Sequence, residues 1–332
     1  MIDKVLIPDD NTNRFTYDYM RAMPGRINWH LNDLCNFKCE YCFFPYFTKE
    51  NPDVGRLSPT QIVEAFNRTG RQWHIYMAGG EPMLYPNFIE LIGLLKPYHP
   101  VYISTNLSNK YTRAFAEQIT PENIISINAS LHIGHHTESS LEKFIDNYKL
   151  YRSKGFHVIV TYVTHPPLFS KMDADFEFLK NRGIEHLHAL TFQGSFEGKQ
   201  YPAAYTHEQK KMLNKYLIDK TEMFVSMDRT NFQGKLCRAG KDYFFMDIKG
   251  NMFRCGTLEG KESYGNMFDG TFQPKQDIHA CPVSRCNDSC HGITSLINMP
   301  PVPELDSDIK HSIMNGYHKV KSIFTGDTSL VE

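Results

Sequence analysis

Between Cys35 and Cys42 the chain reads Cys35-Asn-Phe-Lys-Cys39-Glu-Tyr41-Cys42, and no other stretch restricts it so tightly. Three thiols at this spacing belong on one short loop that wraps them around a single metal centre. Thiolates are soft ligands, and outside the secretory route a Cys cluster holds metal more readily than it forms disulfides. A zinc knuckle would pair Cys-x2-4-Cys units around a tetrahedral ion, but no fourth Cys or well-placed His follows nearby. An iron-sulfur cube takes four thiolates as a rule. A loop that supplies fewer leaves one iron open, and an open metal position is where chemistry occurs.

The 332 residues suffice for one large α/β domain with a small appendage, or for two ordinary domains. Lys+Arg 36 against Asp+Glu 37 gives a formal charge of -1, which makes no electrostatic case for nucleic acid or for an anionic membrane. Residues 1–10 carry Asp3, Asp9 and Asp10 without a long apolar run, so they do not read as a signal peptide. Nor does any segment approach the ~18 apolar residues of a membrane span. A soluble, cytoplasmic protein is expected. The remaining Cys, at 237, 255, 281, 286 and 290, form a second clump far from the first. Core Cys would be scattered, so this pattern implies two metal sites.

Hydrophobic periodicity alternates between the two secondary-structure periods along the middle of the chain. Ile27, Trp29 and Leu31 alternate with polar residues as a strand that delivers the Cys loop. Ser58-Pro59-Thr60-Gln61 is a capping box opening a helix that Gly70 stops. Strands follow over residues 72–77, 100–104, 123–131, 158–163 and 184–192, and helices around 88–95, 111–119, 141–155, 174–181 and 206–218. Six β-α units imply a parallel sheet with helices outside it. They are too few for the closed eight-stranded barrel and enough for a partial, TIM-like (β/α)6 one.

Strand ends in this arrangement carry further motifs. The second ends in Met77-Ala78-Gly79-Gly80-Glu81-Pro82, where paired glycines permit close backbone approach and a carboxylate can accept from a cation. The third ends in Ser104-Thr105-Asn106, the fourth in Ser130-Leu131-His132, with His135 and His136 just beyond. These His residues are candidates for acid-base chemistry, phosphate contact or metal binding, against incidental His on a solvated loop. His74, His186 and His188 sit within expected strands and read as packed core residues.

The Cys-x3-Cys-x2-Cys loop, with Tyr41 before its last Cys, resembles the cluster loop of the radical S-adenosylmethionine (radical SAM) superfamily. That resemblance implies a [4Fe-4S] cluster on Cys35, Cys39 and Cys42. Its free iron would chelate S-adenosylmethionine and cleave it to a 5'-deoxyadenosyl radical. It also implies a three-quarter (β/α)6 barrel with the cluster at the C-terminal rim. Gly79, Gly80, Glu81 and Pro82 match the motif that binds the cofactor's amino group through its backbone and Glu. Thr105 and Asn106 match a Thr-Asn-Gly turn, with Leu107 in place of Gly, and Ser130 matches a ribose contact. His132 stands where relatives commonly have Asp, which leaves its role open, and Lys143 is too weak a match for the Arg that meets the cofactor carboxylate.

Cys237-x12-Gly250-x4-Cys255 has the layout of two strands joined by a bend at residues 248–251, which would bring both Cys to one centre. Cys281-x4-Cys286-x3-Cys290 adds more thiols. The first half resembles the opening of SPASM and twitch domains, the auxiliary-cluster extensions of radical SAM enzymes, and Gly265-Asn266 is familiar from them. Cys281 falls one place short of their later run and nothing follows Cys290. Five thiols cannot ligate two cubes, so one auxiliary [4Fe-4S] is expected. Its ligands would be Cys237, Cys255 and two of Cys281, Cys286 and Cys290, leaving a fifth thiol unused or as a hydrogen-atom donor. A zinc ribbon is the competing reading.

The expected organisation is a lead-in over residues 1–25, the barrel over 26–220, the auxiliary domain over 221–298, and a Pro-rich spacer with a helix over 299–332. The resemblance implies hydrogen abstraction from a small, sugar- or aminocyclitol-like molecule, ending in dehydrogenation or epimerisation. Peptide maturation is the alternative, and an iron-sulfur electron carrier is the non-enzyme reading. Catalytic candidates are His132, His135 and Cys281. A reductant protein such as flavodoxin or ferredoxin is the implied partner.

Overall fold

The computed structural model describes residues 23, 25–42, 53–217, 231–288, 291 and 294–297. Most of the lead-in, the spacer and helix from 299, and Cys290 lie outside the described residues. Six strands run parallel in sequence order: β1 (Arg26–Asn32), β2 (His74–Gly79), β3 (Val101–Thr105), β4 (Ile124–Leu131), β5 (Val158–Thr164) and β6 (Leu187–Thr191). Each is followed by a helix: α1 (Pro59–Asn67), α2 (Phe88–Leu95), α3 (Thr112–Gln118), α4 (Glu138–Ser153), α5 (Met172–Asn181) and α6 (His207–Tyr216). This is the expected partial, TIM-like barrel. Both predicted capping boxes form: Ser58 with Gln61 starts α1, and Thr206 with Gln209 starts α6.

Alternation along the strands sorts the two faces. Ile27, Trp29, Leu31, Ile75, Met77, Ile103, Ile127, Ala129, Val160 and Tyr162 are buried in one core with Phe66 of α1, Leu91 and Ile92 of α2, Phe144 and Tyr148 of α4, and Phe176 of α5. The opposite face carries a small second apolar cluster of Met23, Tyr76, Tyr102 and Ile125 and, beside it, polar residues. Asn128 donates to Ser104 Oγ at 3.1 Å and accepts from Thr161 Oγ1 at 3.0 Å across three neighbouring strands. Next to them, Ser130, Thr161 and His188 share one register position. A helix-covered apolar face and a polar concave face are what a barrel with a working lumen requires.

Element boundaries shift by up to three residues from the sequence reading, and two strand starts have a clear cause. β2 starts at His74, because the Trp73 N–H is taken by His99 Nδ1 at 3.1 Å instead of by a strand. β6 starts at Leu187, because Ile184 N–H caps α5 through Leu179 O at 3.0 Å; His186 therefore precedes the strand. A short hairpin of β7 (Gly194–Phe196) and β8 (Lys199–Tyr201), not anticipated, follows β6 at the rim.

The C-terminal unit continues the barrel's sheet. The predicted hairpin is β10 (Tyr243–Met246) with β11 (Asn251–Phe253), extended by β12 (Ser263–Asn266), and β10 pairs in parallel with β1. The resulting sheet has nine strands. Cys237 lies on a separate ribbon, β9 (Leu236–Cys237) with β13 (His279–Ala280). Arg71 anchors the junction, donating to Lys241 O at 3.1 Å and pairing with Asp242 at 2.9 Å.

Candidate active site at the strand rim

β1 hands the chain directly to the Cys loop, and the loop's backbone lies against the end of β2. Gly80 N–H donates to Asn32 O at 2.8 Å, and Glu81 N–H to Leu34 O at 2.6 Å. A Cβ on Gly80 would stand 2.1 Å from Leu34 O, and one on Gly79, at φ +124°, 2.6 Å from Asn32 O. The paired glycines are thus explained by the loop they must accommodate. Within the loop, Cys42 N–H closes a turn on Cys39 O at 3.0 Å.

Glu81 is 1% exposed. Its Oε1 accepts from Thr105 Oγ1 at 2.6 Å, Asn109 Nδ2 at 3.0 Å and Met83 N at 3.2 Å, while Oε2 accepts from Asn106 N at 2.7 Å. Burial lifts its pKa to about 7, and these donors pull the other way. The carboxylate faces inward, so its evident work is to bind the end of β2 to the turn after β3. From that turn the Asn106 amide reaches Asn36 Oδ1 at 2.9 Å and lies 3.9 Å from Cys35 Sγ. One network therefore joins Glu81, Asn106 and the thiol loop.

Cys35, Cys39 and Cys42 are all half-buried. Burial, then Cys42 and Cys35, pushes the Cys39 thiol up to about 12, and burial also raises Cys35. The thiolate forms that would ligate a metal are favoured by the positive charge a metal core supplies. No three His, Cys, Asp or Glu among the described residues converge closely enough for one ion. A single zinc needs its sulfurs roughly 4 Å apart, given Zn–S near 2.3 Å. A cube meets each thiolate at a different iron, and three thiols on one loop would supply three of its four corners.

Beside the loop lies a wall of rings. Tyr41 hydroxyl and His132 Nδ1 are 3.0 Å apart. His135 and His136 come next in the turn after β4, with Phe37 of the Cys loop packed on both. His132 is held near a pKa of about 4 by burial first and by its two His neighbours second. His136 is lowered by burial, and its Nδ1 lies 3.2 Å from Ser140 Oγ. The wall also contains His165, whose ring sits 4.7 Å from Tyr41. It went unnoticed in the sequence, where the only signal is its place immediately after β5. Ser130 is half-buried on the polar lumen face below.

The second thiol set shares one cavity. Cys237, Cys255, Cys281 and Cys286 line it together with Tyr243 and Arg254. Burial followed by Asp288 pushes Cys286 up to about 12 and raises Cys255 as well, while burial raises Cys237. Asp288 accepts from Gly256 N at 2.7 Å, and burial raises its pKa to about 6. Four thiols around one cavity fit the donor set of a single cube. Tyr243 pairs with Arg26 at the start of β1, whereas the first thiol loop leaves its end. The two sets are therefore separated by the length of the strand, about 20 Å at 3.3 Å per residue.

Residues 30–179 match the Radical SAM superfamily. The chain carries a domain of that enzyme family, which implies a [4Fe-4S] cluster and S-adenosylmethionine. Among relatives, a GTP 3',8-cyclase of Psychromonas ingrahamii is 31% identical over 112 residues, 32% of this chain and 30% of that protein. An S-adenosylmethionine-dependent nucleotide dehydratase of Selenomonas ruminantium is 29% identical over 70 residues, 21% of this chain and 25% of that protein. The chain thus aligns with less than a third of the length of either. Streptococcus suis SuiB bound to S-adenosylmethionine superposes with a TM-score of 0.55 at 15% identity, covering 74% of this chain and 64% of SuiB. For anSMEcpe with bound AdoMet the TM-score is 0.55 at 16% identity, covering 75% and 80%. At these identities the likeness establishes the fold. Among the described residues no helix is long and apolar enough to cross a membrane.

Proposed function

We propose that this radical SAM enzyme takes a hydrogen atom from a polar small molecule held in the barrel lumen, with Cys35, Cys39 and Cys42 holding a [4Fe-4S] cluster. The observation that carries the reading is the single network from Glu81 through Asn106 to the thiol loop. It ties the Cys35 end of the thiol loop to the strand rim, beside a face that carries hydroxyls and amides. When bound, the cluster and S-adenosylmethionine supply a radical able to take hydrogen from an unactivated carbon.

The chain's own residues orient and shield. Tyr41, the backbone of Gly79 and Gly80, Pro82, Thr105, Asn106 and Ser130 border the cofactor's place, and Glu81 holds that border rigid from beneath. Asn128, Thr161, Ser104 and His188 offer hydrogen bonds to a hydroxyl-bearing substrate. A sugar-like molecule fits this lining, and the relatives named for GTP and nucleotide chemistry also act on small polar molecules. Peptide modification is the second reading, favoured by SuiB, whose solved structures include one with its precursor peptide SuiA.

Cys237, Cys255, Cys281 and Cys286 would hold the auxiliary cluster. It would serve as electron acceptor in a dehydrogenation, whereas an epimerisation would draw on a thiol hydrogen donor, and a flavodoxin- or ferredoxin-like protein would supply electrons. The deciding experiment is anaerobic reconstitution with S-adenosylmethionine and dithionite. Formation of 5'-deoxyadenosine with about eight irons per chain, as two cubes require, supports the reading. Cys39→Ala should abolish cleavage, while Cys237→Ala should retain it and halve the iron. No 5'-deoxyadenosine from protein with its iron in place overturns the enzyme reading.

A further inference from the structure

Tyr41 lies between two of the loop thiols, and what holds its ring is His132. Phenol oxygen and Nδ1 are 3.0 Å apart, and the rings stack with centroids 5.8 Å apart at 28°. His132 is itself fixed: it directly follows β4, and its carbonyl accepts from His135 N at 2.8 Å. With the ring proton on Nε2, the Nδ1 lone pair accepts from the phenol. A further imidazole, His165, packs on Tyr41 at 4.7 Å and is wedged in turn by Phe192 at 5.2 Å and Phe196 at 4.7 Å.

We propose that His132 is a positioning residue: by accepting the Tyr41 hydroxyl it locks the Tyr41 ring in the orientation that meets the cofactor, and it exchanges no proton with substrate. The inference rests on the reading of Tyr41 as a contact to S-adenosylmethionine. Geometry carries it, because both the Nδ1 contact and the stacked rings engage His132 with Tyr41. It also gives a reason for His at a position where a carboxylate would accept from the phenol equally well. A carboxylate would add negative charge beside Cys39 and Cys42, whereas a neutral imidazole accepts without it.

The test is S-adenosylmethionine affinity of the anaerobically reconstituted full chain, by equilibrium binding and by the change in the reduced cluster's EPR signal. Four variants are compared: His132→Leu, Tyr41→Phe, the double, and His132→Asn, whose amide oxygen can replace Nδ1 as acceptor. Each single loss of the hydrogen bond should weaken binding about three- to tenfold. The double variant should be no weaker than the worse single, and His132→Asn should stay within about twofold of wild type. Multiplicative losses in the double, or wild-type affinity in His132→Leu, overturn the inference while leaving the cofactor reading intact. Failure of the wild type to bind S-adenosylmethionine with its iron in place overturns the reading and the inference together.

Discussion

Asn106 gives its backbone N–H to Glu81 Oε2 at 2.7 Å while its side-chain amide reaches Asn36 of the thiol loop at 2.9 Å. The rim is thereby tied to a carboxylate that accepts from four donors. Glu81→Gln keeps the shape but turns one acceptor oxygen into an NH2 group. Whichever way the amide is turned, a buried N–H then faces another donor. Leaving such a group unpaired costs about 1–3 kcal/mol, or a fall of several degrees at ~2–4 °C per kcal/mol in a chain of this size. Thermal unfolding followed by circular dichroism checks this, and an unaltered melting curve would show that the carboxylate is not holding the rim.

Gly80→Ala should damage the first metal site specifically. Its Cβ would meet Leu34 O at 2.1 Å, and backbone cannot swing aside as a side-chain tip can. The loop must shift, and with it Cys35. Iron at the first site should fall by half or more, by analogy with the roughly 10–100-fold affinity losses that follow disruption around metal ligands. Gly134→Ala is the control, because nothing lies within 4 Å of its Cβ position. Equal iron content in the two variants would contradict the close fit.

How far the sequence reveals this protein depends on the range of the interactions involved. The six β-α units, the capping boxes and the thiol loop could be read from it, because periodicity, caps and ligand spacing are local. Pairing of β10 with β1 was not legible: it joins Tyr243 to Arg26 across more than two hundred residues, and a short strand buried along its whole length does not encode its neighbour. The four donors on Glu81 were not legible either, because its motif shows the residue type but not the neighbours of its side chain. His165 stayed hidden for a similar reason, since only the fold places the end of β5 beside Tyr41.

His99 should make stability pH-dependent. Its Nδ1 accepts from Trp73 N at 3.1 Å, and Nε2 lies 3.0 Å from Asn67 Oδ1, so the neutral ring has its proton on Nε2. Burial first, then His74, lowers its pKa from 6.5 to about 4. Between those values the unfolded chain binds more protons than the folded one, so stability is full above pH 6.5 and is lost as pH falls toward 4. The loss approaches about 3 kcal/mol at most. Urea midpoints of wild type and His99→Gln at pH 7 and 5 test this. The variant should show the shallower dependence, and parallel slopes would rule the assignment out.

Because β10 continues the barrel's sheet, damage there should be felt by the barrel. Phe244 is fully buried, with ring centroids 6.0 Å from Trp73 and 4.9 Å from Phe272. Phe244→Ala should cost about 3–5 kcal/mol through lost burial and the cavity left behind. The chain has 2 Trp. Trp29 is on β1, Trp73 immediately precedes β2, and both are buried and pack on Phe268 and Phe244 of the C-terminal unit, so their fluorescence reports on the junction. In urea the Trp-detected midpoint of Phe244→Ala should fall together with the circular-dichroism midpoint, in one transition. Two separate transitions, the earlier removing only part of the dichroism, would mean that the C-terminal strands unfold as an independent domain.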